Sequence, residues 1–184
     1  MRILAGTMRG RGFEQPATRS VRPLSDKARA AIFDVVGAPE GFAVLDAYAG
    51  SGAAGFEALS RGAAMVDAIE ASSSVARVIE RNAAALGLSW GYVLHVMTAE
   101  KWLALPVNQP DADRPQARYH LIIADPPYAQ LDADVLARFG PFVLPGGVLV
   151  VSHSSKHQPP QLESLRLARH KVYGDTALSF YQVA

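Results

Sequence analysis

The stretch from Phe42 to Gly62 constrains the fold more than any other part of the chain. An apolar run, Phe42–Tyr48, reads as a buried strand. It passes through Ala49-Gly50-Ser51-Gly52 into a helical segment, Gly52–Arg61, stopped by Gly62. Glycines at such a junction let a ligand approach the backbone, and the helix that follows offers unpaired N–H groups at its N-terminus. Taken alone, this Gly50-Ser51-Gly52-Ala53-Ala54-Gly55 pattern fits a dinucleotide and S-adenosylmethionine equally well.

The remaining chain repeats the alternation. Strands are expected at Met65–Glu70, Tyr92–Met97, Tyr119–Ala124 and Val148–His153, and helices at Ser72–Leu86, Glu100–Leu105 and Leu131–Phe139. Gly87 closes the second of these helices, and residues 106–118 read as a polar surface loop. Leu165–Tyr173 and Thr176–Val183 around Gly174-Asp175 read as a closing hairpin at the sheet edge. Ahead of the repeat, residues 2–13 suggest a small hairpin, Arg22-Pro23 an extended link, and Ser25 the cap of a helix ending near Gly37. The pattern predicts a doubly wound, mostly parallel α/β sheet with a small N-terminal extension. Trp90, Trp102 and Phe139 read as packing residues.

The composition is that of an ordinary globular chain: 184 residues, 49% hydrophobic and 19% charged. No apolar run is long enough to span a bilayer, and no signal peptide is apparent, so a cytoplasmic location is expected. The absence of cysteine excludes disulfides, thiolate metal sites and cysteine nucleophiles. The five histidines lack ligand spacing, so no metal is expected. Net charge is +1 overall but +5 over residues 1–29, through Arg2, Arg9, Arg11, Arg19, Arg22, Lys27 and Arg29. A basic arm on a mildly acidic body suggests a polyanionic partner.

Two acids narrow the cofactor. Glu70, 20 residues after Gly50, ends the second strand where it can accept ribose hydroxyls. Asp46 lies four residues before Gly50. A carboxylate there repels a pyrophosphate but attracts the ammonium and sulfonium of S-adenosylmethionine. Ala49, Gly50, Ser51 and Gly52 would cradle that cofactor, with Thr98-Ala99 at its adenine end. There a threonine hydroxyl or a backbone carbonyl would serve the adenine amino group.

Asp125-Pro126-Pro127-Tyr128 ends the fourth strand at the carboxyl edge of the sheet, where doubly wound folds bind ligands. Two prolines stiffen the turn and remove two N–H donors. The Asp125 carboxylate and Pro126 carbonyl can accept both hydrogens of an exocyclic amine, and Tyr128 can stack on the attached planar base. That set suits methylation at nitrogen by positioning and electrostatics. The lack of cysteine argues against pyrimidine C5 methylation through a covalent adduct.

These residues resemble the bacterial 16S ribosomal RNA guanine-N2 methyltransferases of the RsmD type. The likeness runs through Arg2-Ile3, Gly6, Arg9-Gly10-Arg11, Arg22-Pro23, Asp26, Arg29 and Phe33. It continues through Leu45–Ala53, Glu57-Ala58-Leu59-Ser60-Arg61-Gly62-Ala63, Asp125–Tyr128 and Val172–Thr176. The resemblance implies a seven-stranded class I methyltransferase (Rossmann-like) sheet over residues 25–184, preceded by a basic hairpin extension over residues 1–24. It also implies a guanine amine in 16S rRNA of the small ribosomal subunit or its assembly intermediate as target, with the base turned out of its stack. Arg2, Arg9, Arg11, Arg22 and Arg29 would then face RNA, on a monomer. Departures are Thr98, where relatives often carry an acid, and Ser152-His153, where they often carry Glu. DNA adenine N6, a protein amide, or an inactive RNA-binding relative are the competing readings.

Overall fold

The structure is a computed structural model that describes residues 1–17, 24–88, 90–108 and 118–183. Local signals place most elements where the sequence puts them. Ser25 caps α1 (Asp26–Val36) by accepting from the Ala28 N–H, and Gly37 ends it at φ 92°. Ser72 caps α3 (Ser73–Leu86) in the same way, and Gly87 closes it in the left-handed region at φ 75°. Between them lie β1 (Ala43–Asp46), α2 (Ala53–Ser60) and β2 (Met65–Glu70). After α3 come β3 (Tyr92–Val96), α4 (Ala99–Leu103), β4 (Tyr119–Ala124), α5 (Ala133–Ala137), β5 (Val143–Ser154), β6 (Leu165–Tyr173) and β7 (Thr176–Val183).

The seven strands form one sheet in the order β3-β2-β1-β4-β5-β7-β6. Strands β1 to β5 pair in parallel, and β7 enters antiparallel between β5 and β6. This is the doubly wound sheet with a terminal hairpin that the alternation predicts. Strand order reverses between β1 and β4, so the crevice at their carboxyl ends is the switch point where such sheets take ligands. One apolar cluster, with Ile32, Phe33, Val44, Phe56, Ile79 and Phe180, covers one face; another, with Leu45, Trp102, Ile122, Phe139 and Tyr181, covers the other.

Three expectations shift. Strand β5 begins five residues early, because the 3-10 turn Gly140–Phe142 runs straight into it and a register break opposite Tyr119–Leu121 accommodates Pro145-Gly146-Gly147. Helix α5 is shorter than expected, since Tyr128–Gln130 forms a separate 3-10 turn and Asp132 caps a new start. Trp102 and Phe139 are buried, but Trp90 is 77% exposed, because it precedes the edge strand β3 and no strand lies beyond that edge.

The N-terminal segment is a narrow hairpin, with an Arg2–Gly12 bridge and hydrogen bonds from Ile3 N to Arg11 O (3.0 Å) and from Gly10 N to Ile3 O (2.9 Å). It is fastened to α2. The buried Glu57 carboxylate accepts from Leu4 N (2.8 Å), Ala5 N (3.0 Å) and Arg61 Nε (2.8 Å). Ser60 receives the Met8 N–H and donates to the Ala5 carbonyl, and its own carbonyl accepts from Thr7 N. The approach is so close that a Cβ on Gly6 would stand 1.7 Å from the Ser60 oxygen.

This docking corrects one of the expected RNA contacts, Arg29, and ties a second, the exposed Arg11, to the body. Arg29 is fully buried: it donates to Asp26 Oδ1 (2.9 Å) and the Arg2 carbonyl (2.8 Å), with its Nε 3.7 Å from Glu57. A buried carboxylate needs a buried cation, and Arg29 is that counter-charge. Arg11 donates to the Ala85 and Leu86 carbonyls (2.7 and 2.9 Å), completing the C-terminal end of α3, where carbonyls lack helical partners and the dipole favours a cation. Arg2 and Arg9 have exposed side chains, whereas Arg22 and the Arg22-Pro23 link lie outside the described residues.

Replacing Glu57 by Gln should therefore leave the buried Arg29 with only the half-exposed Asp26 as counter-charge and loosen the hairpin. Breaking a buried ion pair costs about 3–5 kcal/mol, which for a chain of this size lowers the thermal midpoint by roughly 10 °C. A midpoint within a degree or two of the parent in calorimetry would mean that this carboxylate is not the anchor.

Candidate active site

The turn after β1 is stitched into the sheet on both sides. Ala47 N donates to Ile123 O and Ala49 N to Ile69 O, each at 2.8 Å, so the loop is held between the ends of β4 and β2. Gly50 and Gly52 take positive φ values of 55° and 77° to turn the chain into α2. Gly55 then lets α2 lie against the sheet: a Cβ there would meet the Tyr92 ring at 2.8 Å and Val66 at 3.0 Å.

The close packing brings the Gly55 N–H to the Asp46 carboxylate at 3.1 Å. Asp46 is 1% exposed, and burial pushes its carboxyl up to about 7; the Gly55 N–H pulls it back, and nearby Asp125 and Glu70 push it further up. Glu70 accepts from Gly50 N (2.9 Å) and Ser72 N (2.7 Å), and burial raises it above the usual carboxylate range despite these bonds. One acid thus braces the glycine loop while the other lies beneath it.

Asp46, Glu70 and Asp125 open onto one cleft of about 650 Å³, within the usual range for small-molecule sites. Ala49, Gly50, Ser51, Thr98, Ala99, Pro126, Pro127 and Tyr128 also line it. Gly52 does not: it is the N-cap of α2, and a Cβ there would meet the Phe56 ring at 2.8 Å, so its part is to turn the backbone. Of the arginines expected at RNA, none of the described ones, Arg2, Arg9, Arg11 and Arg29, lines the cleft. Among the described residues no helix is long and apolar enough to cross a membrane, and no group of three metal-ligating side chains occurs.

Thr98 has a structural explanation. It is the N-cap of α4, its hydroxyl accepting from Lys101 N (3.3 Å) and its carbonyl from Trp102 N (3.0 Å). The Thr98 hydroxyl and carbonyl therefore each already carry a helix bond, and Thr is among the residues favoured at an N-cap. The Ser152-His153 pair is explained as well. Tyr128 donates its hydroxyl to Thr176 Oγ1 (3.0 Å) and shares a hydrogen bond with Ser152 Oγ (3.3 Å). His153 is buried and spans Ser179 Oγ (2.8 Å) and the Ser154 carbonyl (3.0 Å).

Sequence reasoning missed Ser152 and Thr176, the two anchors of Tyr128. Thr176 closes the Val172–Thr176 stretch already singled out, but nothing in the sequence pairs it with a residue 48 positions earlier. It also missed the apolar wall formed by Leu24, Ile69, Met97 and Ile123, which reads as ordinary core.

Comparison with known proteins follows the same lines. The family model described as conserved hypothetical protein 95 matches residues 1–182. The Ribosomal RNA small subunit methyltransferase D of Escherichia coli K12 is 29% identical over 99% of this chain and 89% of its own. YlbH of Bacillus subtilis is 27% identical over 99% of this chain and 98% of its own. The solved structure of yhhF from Escherichia coli superposes with a TM-score of 0.81 at 27% identity, over 100% of this chain and 97% of that one. With its class I methyltransferase sheet and a match along nearly its whole length, the chain belongs to the conserved hypothetical protein 95 family, the RsmD-like methyltransferases.

Proposed function

We propose that this protein transfers a methyl group from S-adenosylmethionine to the exocyclic N2 amine of a guanine in small-subunit ribosomal RNA. The observation that carries this reading is the meeting of Asp46 and Asp125-Pro126-Pro127-Tyr128 across one cleft at the switch point.

The residues present fit the cofactor. A buried carboxyl held near 7 is stabilised as a carboxylate by a cation, and the ammonium and sulfonium of S-adenosylmethionine supply one. Glu70, with each oxygen already oriented by a backbone N–H, keeps lone pairs for ribose hydroxyls. Ala49, Gly50 and Ser51 form the floor, and Thr98 and Ala99 the adenine end. When bound, the cofactor supplies an electrophilic methyl group.

The chain itself contributes positioning. A base amine is a weak nucleophile because its lone pair is delocalised into the ring. With both N–H hydrogens accepted by the Asp125 carboxylate and the Pro126 carbonyl, the lone pair is aimed across the cleft. Pro127 stiffens the turn, and Tyr128, its hydroxyl fixed by Thr176, presents a ring for the base to stack on. Residues 25–184 form the methyltransferase domain and residues 1–24 its extension, with exposed Arg2 and Arg9 toward RNA. The substrate is the small subunit or an assembly intermediate, met by a monomer. The E. coli relative's name, Ribosomal RNA small subunit methyltransferase D, supports RNA over DNA adenine or a protein amide.

Incubation with labelled S-adenosylmethionine and under-methylated small subunits, followed by nucleoside analysis, should yield N2-methylguanosine; label in adenosine or in protein would overturn the base assignment. Asp125→Ala should reduce turnover by at least about a hundredfold, with cofactor affinity held within about tenfold, or ~1.4 kcal/mol. Normal turnover in that variant would remove the amine clamp.

Asp46 should also impose a pH dependence. Its folded value of about 7 lies above the unfolded 3.8, so in the ligand-free protein the contribution of Asp46 to stability is fully present below the lower value and is lost as pH rises through the upper. A cationic ligand favours the ionised form, so cofactor affinity should rise toward pH 7 and level off above it. Asp46→Asn should bind more weakly and flatten both profiles in calorimetry; an unchanged affinity profile would place the cation elsewhere.

A further inference from the structure

The basic arm expected to meet RNA buries Arg29 and ties the exposed Arg11 to the end of α3, which leaves the question of where further phosphates would be held. Strand β6 reads Leu165-Arg166-Leu167-Ala168-Arg169-His170-Lys171-Val172-Tyr173, and every residue from 166 to 172 is exposed. No acidic residue interrupts it. It is the outermost strand of the sheet and pairs only with β7.

Its register holds a device. Arg166 pairs with Gln182, Arg169 with Phe180, Lys171 with Leu178 and Tyr173 with Thr176, with a register shift between Leu167 and Arg169. Directly paired residues on antiparallel strands share a face, and faces alternate along each strand. Gln182, Phe180, Leu178 and Thr176 are all on one face of β7. In unbroken alternation Arg166, three residues before Arg169, would fall on the opposite face; the bulge at Ala168 returns it to the side of Arg169 and Lys171. All three cations and Tyr173 therefore line one face over roughly 20 Å. The same face carries α1, whose Lys27 lies 5.9 Å from the Tyr173 ring centre.

The stripe leads to the active site. Tyr173 pairs with Thr176, which lines the cleft and holds the Tyr128 hydroxyl. We propose that Arg166, Arg169 and Lys171, with Lys27 and Tyr173 at the cleft end, form the surface that binds the phosphate backbone of the RNA whose base enters the cleft. This rests on the RNA-methylating reading above. Charge on an edge strand also discourages edge-to-edge pairing, but that role needs neither one sign nor one face.

The test uses the full-length protein and unmodified small-subunit rRNA made by transcription, with binding followed by fluorescence anisotropy across a salt series. The triple variant R166Q/R169Q/K171Q should bind at least about tenfold more weakly at low salt. Its log–log salt dependence should be shallower by about 2, as expected for three lost contacts to a single strand. Thermal midpoint and S-adenosylmethionine affinity should match the parent, and R166E/R169E/K171E should weaken RNA binding further. Parental RNA affinity and slope in both variants would overturn the proposal. So would intact RNA binding accompanied only by aggregation, which would make the charges an edge guard. Intact binding to RNA with methylation lost only on assembled subunits would also overturn it, by assigning the stripe to a protein contact. Because affinity and slope are read without turnover, a parent that binds this RNA but methylates no guanine in under-methylated small subunits would sink the function and leave the stripe standing.

Discussion

A single buried carboxylate, that of Glu57, ties the N-terminal hairpin, α1 and α2 into one body. It accepts two backbone N–H groups from Leu4 and Ala5, lies against Arg29 from α1, and holds Arg61, whose guanidinium covers the Phe33 ring at 4.8 Å. Alone in the interior, such a charge would be strongly destabilising; surrounded in this way it is neutralised and fully oriented. Helix α2, which carries Glu57, also begins at the glycine loop, so the groups that hold the N-terminal hairpin sit on the same rigid rod that backs the cofactor cradle.

The cleft shows how little machinery positioning requires. Parallel strands β1 and β4 lie side by side and end at the same level, Asp46 pairing with Ile123 two residues before Asp125. Sheet register, rather than any loop, thus fixes the separation between the acid beneath the glycine turn and the acid at the proline turn. Burial then sets the protonation of Asp46, and the fixed ring of Tyr128 closes one wall. Each contribution belongs to the backbone topology, and the side chains only finish it.

The fold was legible because its signals are local. Ser25, Ser72, Gly37 and Gly87 mark helix ends by groups that meet the backbone within a few residues, and apolar runs mark strands that are buried on both faces. The cofactor-side and proline-turn residues were legible because their spacing along β1, β2 and β4 survives folding as proximity. The arginines were not. Charge tells nothing of burial: beyond its helix neighbour Asp26, Arg29 meets Glu57 28 positions away, and Arg11 its partners 74 and 75 away, distances that no periodicity encodes. The Glu57–Ala63 stretch carries part of the family likeness, yet its purpose as a dock for the hairpin emerges only when Gly6 is seen against Ser60. Thr98 was read as a departure at a ligand site and turns out to satisfy a helix end first.

The bond from Tyr128 to Thr176 has a consequence for how the molecule comes together. Thr176 opens β7, which inserts between β5 and β6, so the tyrosine ring is secured only after the terminal hairpin has been threaded into place. The glycine loop, Glu70 and Asp46 are complete within a much shorter span, residues 46–72. Contacts of small sequence separation form at lower entropic cost than distant ones. The bonds within the glycine turn therefore close at low entropic cost, while the anchor of Tyr128 waits for the last strand. A chain whose terminal hairpin is not in place lacks the partner that fixes the Tyr128 hydroxyl, so that wall of the cleft depends on completion of the fold.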